Sequence, residues 1–208
     1  MSGDHGVSGD HGGGARLEIE RAWLMRALPD LGALREAGSS VARVRIEQGY
    51  VAPGAEAAAR AGLTGRVRRM EWDDGRVEHW HTIKRGLGRV REEAERLIDP
   101  AAFARAWPET AGARLRKVRW VVQEGGACGG LTWEIDQFLD FELVLAEVEC
   151  DSESHADSLE VPGWMAPLVV REVTEEPAYR NSSLARNGVP PGAAPGAPAA
   201  PAAFPPLD

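Results

Sequence analysis

The sequence predicts a mainly β, α+β fold: an eight-stranded antiparallel barrel with a few short flanking helices. Apolar and polar residues alternate with period two through about eight segments of the chain. Turn residues such as Asp73-Asp74-Gly75 separate consecutive segments, which favours antiparallel neighbours. The charges on these segments also sort by sign, which is expected when they face a shared interior.

The composition indicates one folded domain between two segments of low complexity. The chain has 208 residues, of which 43% are hydrophobic and 27% charged, so it can bury one sizeable core. Residues 1–15 repeat the pentapeptide Ser-Gly-Asp-His-Gly and are predicted to be a flexible N-terminal segment. Residues 16–186 are predicted to form the domain, and residues 187–208, rich in Pro and Ala, a disordered tail.

Charge and cysteine content exclude several classes of protein. The formal net charge of -8 argues against binding to nucleic acid or to an anionic membrane. No apolar stretch has the length of a membrane span or of a signal peptide. The two cysteines, Cys128 and Cys150, are too few for a disulfide scaffold and are read as reduced thiols, so a cytoplasmic location is expected.

The element boundaries follow from the period of the pattern and from turn and cap residues. The candidate strands run near 16–25, 41–50, 65–71, 77–84, 89–98, 115–123, 131–138 and 142–150. Helices are expected near 29–37, 54–62, 99–107 and 176–185. The third helix has the clearest start, with Asp99 as N-cap and Pro100 in the first position.

Acidic residues share a face on the first and the last predicted strand. Glu18 and Glu20 lie on one face, Glu147 and Glu149 on another, and Asp136 is in phase with Glu134 on the strand between. An open sheet with a solvated polar face would also produce such pairs. Inside a closed barrel, clustered carboxylates suit hard cations such as Mg2+ or Mn2+.

Basic residues are paired in the same way on the strands between. Arg66 and Arg68 share a face, as do Lys117 and Arg119, while Lys84 and Arg91 occur in phase on two further strands. Fixed guanidinium and ammonium groups suit phosphate oxygens. Carboxylates and cations enclosed together therefore indicate a metal-phosphate complex as ligand.

The order of these motifs resembles that of the CYTH superfamily, the triphosphate tunnel metalloenzymes. The first motif, Glu18-Ile19-Glu20, is similar to the opening strand of the family. The later motifs occur in the family's order: Gln48-Gly49-Tyr50, Arg66-Val67-Arg68, Thr82-Ile83-Lys84, Arg91 to Glu95, Lys117-Val118-Arg119, Trp133 to Asp136, Ala146 to Glu149, Pro162-Gly163-Trp164, and Glu172-Val173-Thr174 with Tyr179, Asn181 and Leu184.

The resemblance implies an eight-stranded antiparallel tunnel that binds a triphosphate with one or two divalent cations. The family includes inorganic triphosphatases, thiamine triphosphatases and a class of adenylate cyclases. By resemblance, the metal ligands are Glu18, Glu20, Asp136, Glu147 and Glu149, and the phosphate ligands are Arg66, Arg68, Lys84, Arg91, Lys117 and Arg119. Glu18, Glu20 and Lys84 are implied to be catalytic.

Two positions depart from the family pattern. Ala22 stands where the opening motif usually has Lys; Arg21 should point to the other face, while Arg26 shares the inward parity. Pro177-Ala178 stands where a basic residue usually precedes the Tyr, and whether Arg180 reaches the interior is left open.

Three functions are open from the sequence. The first is metal-dependent hydrolysis of inorganic tripolyphosphate or of an organic triphosphate, and the second is polyphosphate or nucleotide binding without turnover, because of Ala22. The third is adenylate cyclisation. The expected partner is a small-molecule triphosphate or polyphosphate, and a homodimer is open.

A few other features have competing explanations. His79 and His81 alternate on one strand face and could ligate a transition metal, although no third ligand is in place. The seven tryptophans are expected to pack on the outside of the barrel against the short helices. Arg43 and Arg45 could extend the interior charge or lie on an exposed face.

Overall fold

The computed structural model describes residues 16–60, 62–85, 89–124 and 130–192. The predicted N-terminal segment, most of the predicted tail and Cys128 lie outside the described residues. These ranges contain nine strands, β1 to β9 in chain order: Arg16–Met25, Ser40–Tyr50, Arg66–Trp72, Val77–Arg85, Val90–Leu97, Arg114–Gln123, Thr132–Phe138, Val144–Glu149 and Val169–Glu172. The first eight overlap the eight predicted strands, with boundaries that differ by at most two residues.

The strands form a closed antiparallel barrel. The sheet order is β5-β4-β3-β2-β6-β7-β8-β1, and β1 pairs with β5 to close the ring. The predicted fold class is therefore confirmed. The sequence missed β9, a four-residue strand that pairs with β1 alone at the edge, because so short a segment carries no period.

The turn predicted at Asp73-Asp74-Gly75 joins β3 to β4. Across this turn, the amide of Trp72 donates a 2.9 Å hydrogen bond to the carbonyl of Arg76. Gly75 has a φ of 83°, a conformation that residues with a Cβ rarely adopt. Turn chemistry thus fixes the register of this hairpin.

In the part of the chain that the structure describes, five short helices surround the barrel, α1 to α5: Leu31–Glu36, Glu56–Arg60, Pro100–Ala106, Glu153–Ser158 and Asn181–Asn187. Asp99 caps α3 as predicted, accepting a 2.8 Å hydrogen bond from the amide of Ala102. The sequence missed α4, and α5 begins later than predicted because a 3-10 turn, Pro177–Tyr179, and an extended Arg180 precede it. No helix in the described ranges is long and apolar enough to cross a membrane.

Most of the apolar core lies on the outside of the barrel wall, beneath the helices and loops. Trp23 and Trp133 are buried there with ring centroids 5.4 Å apart, and Trp164 packs on Trp133 at 6.0 Å. The outer packing expected of the seven tryptophans is confirmed for these three. For Trp72 and Trp80 it is wrong, because they lie opposite the inward-facing Val44 and Arg68 and pack against the interior apolar cluster. His79 and His81 also face outwards, where His79 packs on the ring of Phe103 in α3.

A segment near the end of the described chain, residues 173–187, packs across the interior side of one barrel end. We call it the closing segment. Its buried side chains are Val173, Tyr179 and Leu184, and they contact the inward-facing Leu24 of β1 and Phe138 of β7. This packing places α5 beside the barrel interior.

Candidate active site in the barrel interior

The inward faces of the strands and the closing segment enclose a cavity of about 550 Å³. Cross-strand pairing explains which side chains meet there, since directly opposed residues share a face: Glu18 is opposite Arg91, and Lys84 is opposite Glu93. Nine of the eleven predicted site residues line the cavity: Glu18, Glu20, Arg66, Arg68, Lys84, Arg91, Arg119, Glu147 and Glu149.

Glu18 and Glu20 of β1 are bound by cations from β4 and β5. The Lys84 ammonium donates to both oxygens of Glu18, at 2.8 and 2.7 Å, and lies 3.4 Å from Glu93. Arg91 donates to Glu20 and lies 3.5 Å from Glu18. Acids and bases of the interior therefore serve as counter-ions for one another.

A second group of ion pairs centres on Glu95 of β5. Arg68 donates to Glu95 at 2.9 Å, and Arg66 lies 3.5 Å from it and donates to Thr82 at 3.1 Å. Burial acts to raise the pKa of Glu95, but Arg68, the hydrogen bond from Thr82 and Arg66 outweigh it and lower the pKa. Glu95 therefore stays ionised between the two arginines.

Lys117 and Asp136 are placed differently from the other predicted residues. They form an ion pair of 2.5 Å that is 1% and 0% exposed, and neither lines the cavity. Arg119 donates to both oxygens of Asp136 at 2.7 Å. Although burial opposes ionisation, Arg119 and Lys117 lower the pKa of Asp136 to about 2. This pair lies behind Arg119, out of reach of the cavity surface.

Two of the cavity carboxylates, Glu20 of β1 and Glu147 of β8, have too little positive charge around them. Burial, followed by the neighbouring Glu147 carboxylate, raises the pKa of Glu20 to about 8 even though Arg91 and Lys84 oppose the shift. Burial and the charge of Asp136 likewise raise the pKa of Glu147. This part of the cavity would be stabilised by an added cation.

Comparison with known proteins identifies the family. The chain is 31% identical over 170 residues to an inorganic triphosphatase from Nitrosomonas europaea, and the match covers 81% of this chain and 96% of that protein. The chain belongs to the CYTH superfamily. The family suggested by the sequence motifs is thereby confirmed.

Two further comparisons are consistent with membership of the CYTH superfamily. An inorganic triphosphatase from Acetivibrio thermocellus is 42% identical over 60 residues, covering 28% of this chain and 35% of that protein. The crystal structure of the hypothetical protein NE1496 has a TM-score of 0.51 and 31% identity, covering 83% of this chain and 99% of that one. No protein-family model matches the chain.

The acidic side of this CYTH cavity has donor atoms suited to a hard cation. Glu18, Glu20, Glu147 and Glu149 supply carboxylate oxygens, and the raised pKa of Glu20 reflects burial and its crowding with Glu147 and Glu18. Within the described ranges, no three Asp, Glu, His or Cys side chains converge on one point as a metal site would require. The carboxylate donors suit a divalent ion. Because they do not yet converge on one point, binding would require these side chains to move closer together.

Ala22 lies on the cavity wall where the CYTH opening motif usually has Lys. Arg21 points away, as its parity predicts, and pairs with Glu172 at 2.6 Å on the outside. Arg26 is exposed and does not reach the cavity wall, whereas Arg180 does line the cavity, from the closing segment. Arg180 therefore does reach the interior, which the sequence alone left open.

The sequence reasoning missed several cavity residues. Tyr50 belongs to the Gln48-Gly49-Tyr50 motif and has inward parity, and its hydroxyl accepts a 3.0 Å hydrogen bond from Gln48. Glu93 and Glu134 also line the cavity and could have been found by parity. Arg186 of α5 gave no signal, because a seven-residue helix beyond the last strand has no register with the barrel.

Arg43 and Arg45 of β2 face outwards. They border a shallow surface pocket with Asp73 and Val118, and Arg43 donates to Asp73 at 2.7 Å. The inward positions beside them are Val44 and Ile46, which are fully buried. Of the two readings left open by the sequence, the structure supports the outer face.

Proposed function

We propose that this protein is a divalent-metal-dependent triphosphatase acting on inorganic tripolyphosphate or on an organic triphosphate inside the barrel. One observation carries the proposal: the cavity lining contains eight cationic and eight carboxylate side chains among the described residues. The relatives named inorganic triphosphatase support it.

The equal numbers of acids and bases favour a metal complex as the species bound. A triphosphate alone carries several negative charges, and a cavity with no large excess of cations would not neutralise them. A triphosphate that enters with Mg2+ or Mn2+ brings much of its own neutralisation. The charge balance therefore supports substrate binding as the metal complex.

Glu18, Glu20, Glu147 and Glu149 would hold the cation in this proposal. When bound, a Mg2+ or Mn2+ ion supplies charge neutralisation at the phosphate oxygens and lowers the pKa of a coordinated water. The chain's own contribution is a set of four carboxylates on two adjacent antiparallel strands, β1 and β8.

Lys84 and Arg91 would exchange partners when substrate binds. Each is hydrogen bonded to a carboxylate of β1, Lys84 to Glu18 and Arg91 to Glu20. A phosphate oxygen in place of the carboxylate keeps the charge of each cation satisfied. Arg66 and Arg68 would bind phosphate oxygens in the same way, so the transferred group is held by cations on several strands.

Arg119 would be held in place for phosphate binding by the pair behind it. Asp136 accepts two hydrogen bonds from Arg119, and Lys117 binds the same carboxylate. This fixes the plane of the guanidinium, while its Nη1 donates to Glu134 and its Nη2 donates to Glu147 as well as to Asp136. We therefore assign Asp136 and Lys117, predicted as a metal ligand and a phosphate ligand, to positioning Arg119.

Ala22 favours a second candidate, a protein that binds polyphosphate or a nucleotide without turnover. The small side chain leaves the cavity wall without a cation at this point of β1. Binding would survive such a loss if other cations hold the phosphates, while the rate would fall if a Lys at this position stabilises the transition state.

The test is phosphate release from tripolyphosphate with Mg2+ or Mn2+, with chelator as the metal control. Glu18→Ala should abolish release, while Glu56→Ala, which removes an exposed carboxylate of α2, should leave it unchanged. Absence of release across tripolyphosphate, ATP and thiamine triphosphate would refute the hydrolase. Calorimetric binding without product would then support the second candidate, and cyclic AMP formed from ATP would indicate a cyclase.

The cytoplasmic location and the homodimer stay predictions. The location is expected from two cysteines read as reduced thiols, and Cys150 is a buried free thiol in the fold. Cell fractionation checks the location, and light scattering after size exclusion checks the dimer.

A further inference from the structure

The cations that line the cavity divide into two groups by their partners. Six lie on the barrel strands or next to them, and each is within 4.0 Å of a carboxylate: Arg66, Arg68, Lys84, Arg89, Arg91 and Arg119. The other two, Arg180 and Arg186, belong to the closing segment. Neither has a carboxylate partner among the residues that the structure describes.

Arg180 and Arg186 differ from each other in their surroundings. The guanidinium of Arg180 has no hydrogen-bond or ion-pair partner within the described ranges. Arg186 donates to the carbonyl oxygen of Ser182 at 3.0 Å, and its guanidinium carbon lies 5.3 Å from the centre of the Tyr50 ring. Most of the five N–H donors of each guanidinium are therefore available to a ligand.

The backbone from which these two side chains project is anchored to the barrel. The amide of Val173 donates to the carbonyl of Ala22 at 2.8 Å, and the amide of Ala22 donates to the Thr174 hydroxyl at 3.0 Å. At the start of α5, Asn181 accepts a 3.2 Å hydrogen bond from the buried Lys117. Backbone and side-chain contacts thus fix the segment to the barrel on both sides of Arg180.

We propose that Arg180 and Arg186 are the substrate-binding cations that capture the phosphate chain, in place of the cation absent at Ala22. A barrel cation must give up a carboxylate before it binds phosphate, so part of its interaction energy is spent on the exchange. Arg180 and Arg186 lose no such partner, and guanidinium groups bind phosphate with two parallel hydrogen bonds. The closing segment is then part of the binding site as well as the cover of one barrel end.

This inference rests on the proposed triphosphate function, and Arg180→Ala, Arg186→Ala and the double variant test it with Mg2+ and tripolyphosphate. Each single change should weaken binding about tenfold, and the double change by about a hundredfold, as expected for loss of charge-assisted hydrogen bonds. The weakening is measured as KM if phosphate is released and as calorimetric Kd if it is not. Melting temperatures should stay unchanged, since neither guanidinium is part of the packed core.

Arg105→Ala is the matched control, because Arg105 is an exposed arginine on α3 that does not line the cavity. It should leave KM or Kd within twofold of the wild-type value. A flatter dependence of KM or Kd on salt concentration in the double variant would show that bound charge, and not fold, was lost. Arg186→Lys keeps the charge but not the guanidinium over the Tyr50 ring, and should lose less than Arg186→Ala.

The two proposals fail in different ways. A double variant that binds as tightly as the wild-type protein, or an Arg105→Ala variant that loses as much as the double variant, would overturn the role of the closing segment while leaving the triphosphatase intact. A wild-type protein that neither binds nor hydrolyses tripolyphosphate would overturn both.

Discussion

Two carboxylates inside the same barrel, Asp136 and Glu20, have pKa values displaced in opposite directions. Burial acts against ionisation of both, yet the pKa of Asp136 falls to about 2 because Arg119 and Lys117 bind it. The pKa of Glu20 rises to about 8 because burial and the Glu147 charge outweigh Arg91 and Lys84. The balance of neighbouring charges, more than burial, decides which acid is ionised at neutral pH.

The contrast separates a structural part of the interior from a ligand-binding part. Lys117 and Asp136 are paired with each other, Asp136 is also bound by Arg119, and neither Lys117 nor Asp136 lines the cavity. Around Glu20 and Glu147, negative charge exceeds positive charge at a surface that the cavity reaches. Each of the following changes alters one side of this contrast.

Asp136→Ala should have the largest effect, on stability. It leaves Lys117 buried without its carboxylate and removes two hydrogen bonds from Arg119, and breaking a buried pair in this way costs about 3–5 kcal/mol. The measurement is the free energy of unfolding in urea at pH 7. Arg60→Ala, which breaks an exposed pair with Glu56, should cost under about 0.5 kcal/mol. Equal losses in the two variants would contradict the structural role of Asp136.

The stabilisation by Asp136 should also depend on acid pH. Its folded pKa of about 2 lies below its ordinary value of 3.8, so the unfolded chain takes up the proton first as pH falls. The contribution is present above pH 3.8 and is lost between there and pH 2. A variant lacking Asp136 should lose less stability across this window.

Glu20→Gln should reduce activity strongly while leaving the fold intact. Loss of a proposed metal ligand should lower kcat/KM at least about a hundredfold, since even residues that only support metal ligands commonly give up to that loss. The stability of the variant relative to the wild-type protein should instead increase as pH rises. The folded state binds the Glu20 proton more tightly than the unfolded chain, so wild-type stability falls as pH rises from 4.5 to about 8.

Unfolding measurements across pH check the stability effect of Glu20→Gln. The variant should gain on the wild-type protein as pH rises and exceed it at pH 8, because Gln does not ionise. Glu56→Gln on the exposed helix α2 serves as the control for both measurements. A variant that loses activity and stability together at pH 8 would indicate that Glu20 holds the fold together.

The sequence predicted which face each interior residue occupies, but it could not predict how deep along the barrel that residue lies. Parity placed Glu18, Glu20 and Asp136 on inward faces, and all three do face inwards. Parity repeats along a strand, so it cannot distinguish the covered level of Asp136 from the open level of Glu147. Depth depends on barrel stagger and on the closing segment, neither of which is encoded in the period of one strand.

The closing segment marks the other limit of the sequence reasoning. Its contacts with Leu24 and Phe138 are between residues far apart in the chain, and a 3-10 turn interrupts its helical pattern. The sequence of a short helix does not show whether a basic residue such as Arg186 faces solvent or the cavity. Only the packed position of Leu184 and Tyr179 determines that Arg186 borders the cavity.

Mg2+ binding should release protons and tighten as pH rises towards about 8. A divalent ion binds the ionised form of Glu20, whose raised pKa keeps much of it protonated at neutral pH. The affinity should increase by up to about tenfold per pH unit below that pKa. Calorimetry at pH 7 in two buffers of different ionisation enthalpy measures the released protons. The Glu20→Gln variant should show no such release from this group, and equal release in both proteins would count against the assignment.

Ala22→Lys should have the smallest effect and should reduce the contrast between Glu20 and Asp136. Ala22 is paired across the sheet with Glu147, so a lysine there adds positive charge where the interior lacks it. The pKa of Glu20 should fall, and the loss of stability between pH 4.5 and 8 should shrink. If Arg180 and Arg186 already hold the phosphate chain, KM should change by less than about fivefold, because one more cation meets charges that are already bound. A large gain in turnover would instead show that the wild-type cavity lacks a cation needed for catalysis, which favours the binding protein over the hydrolase.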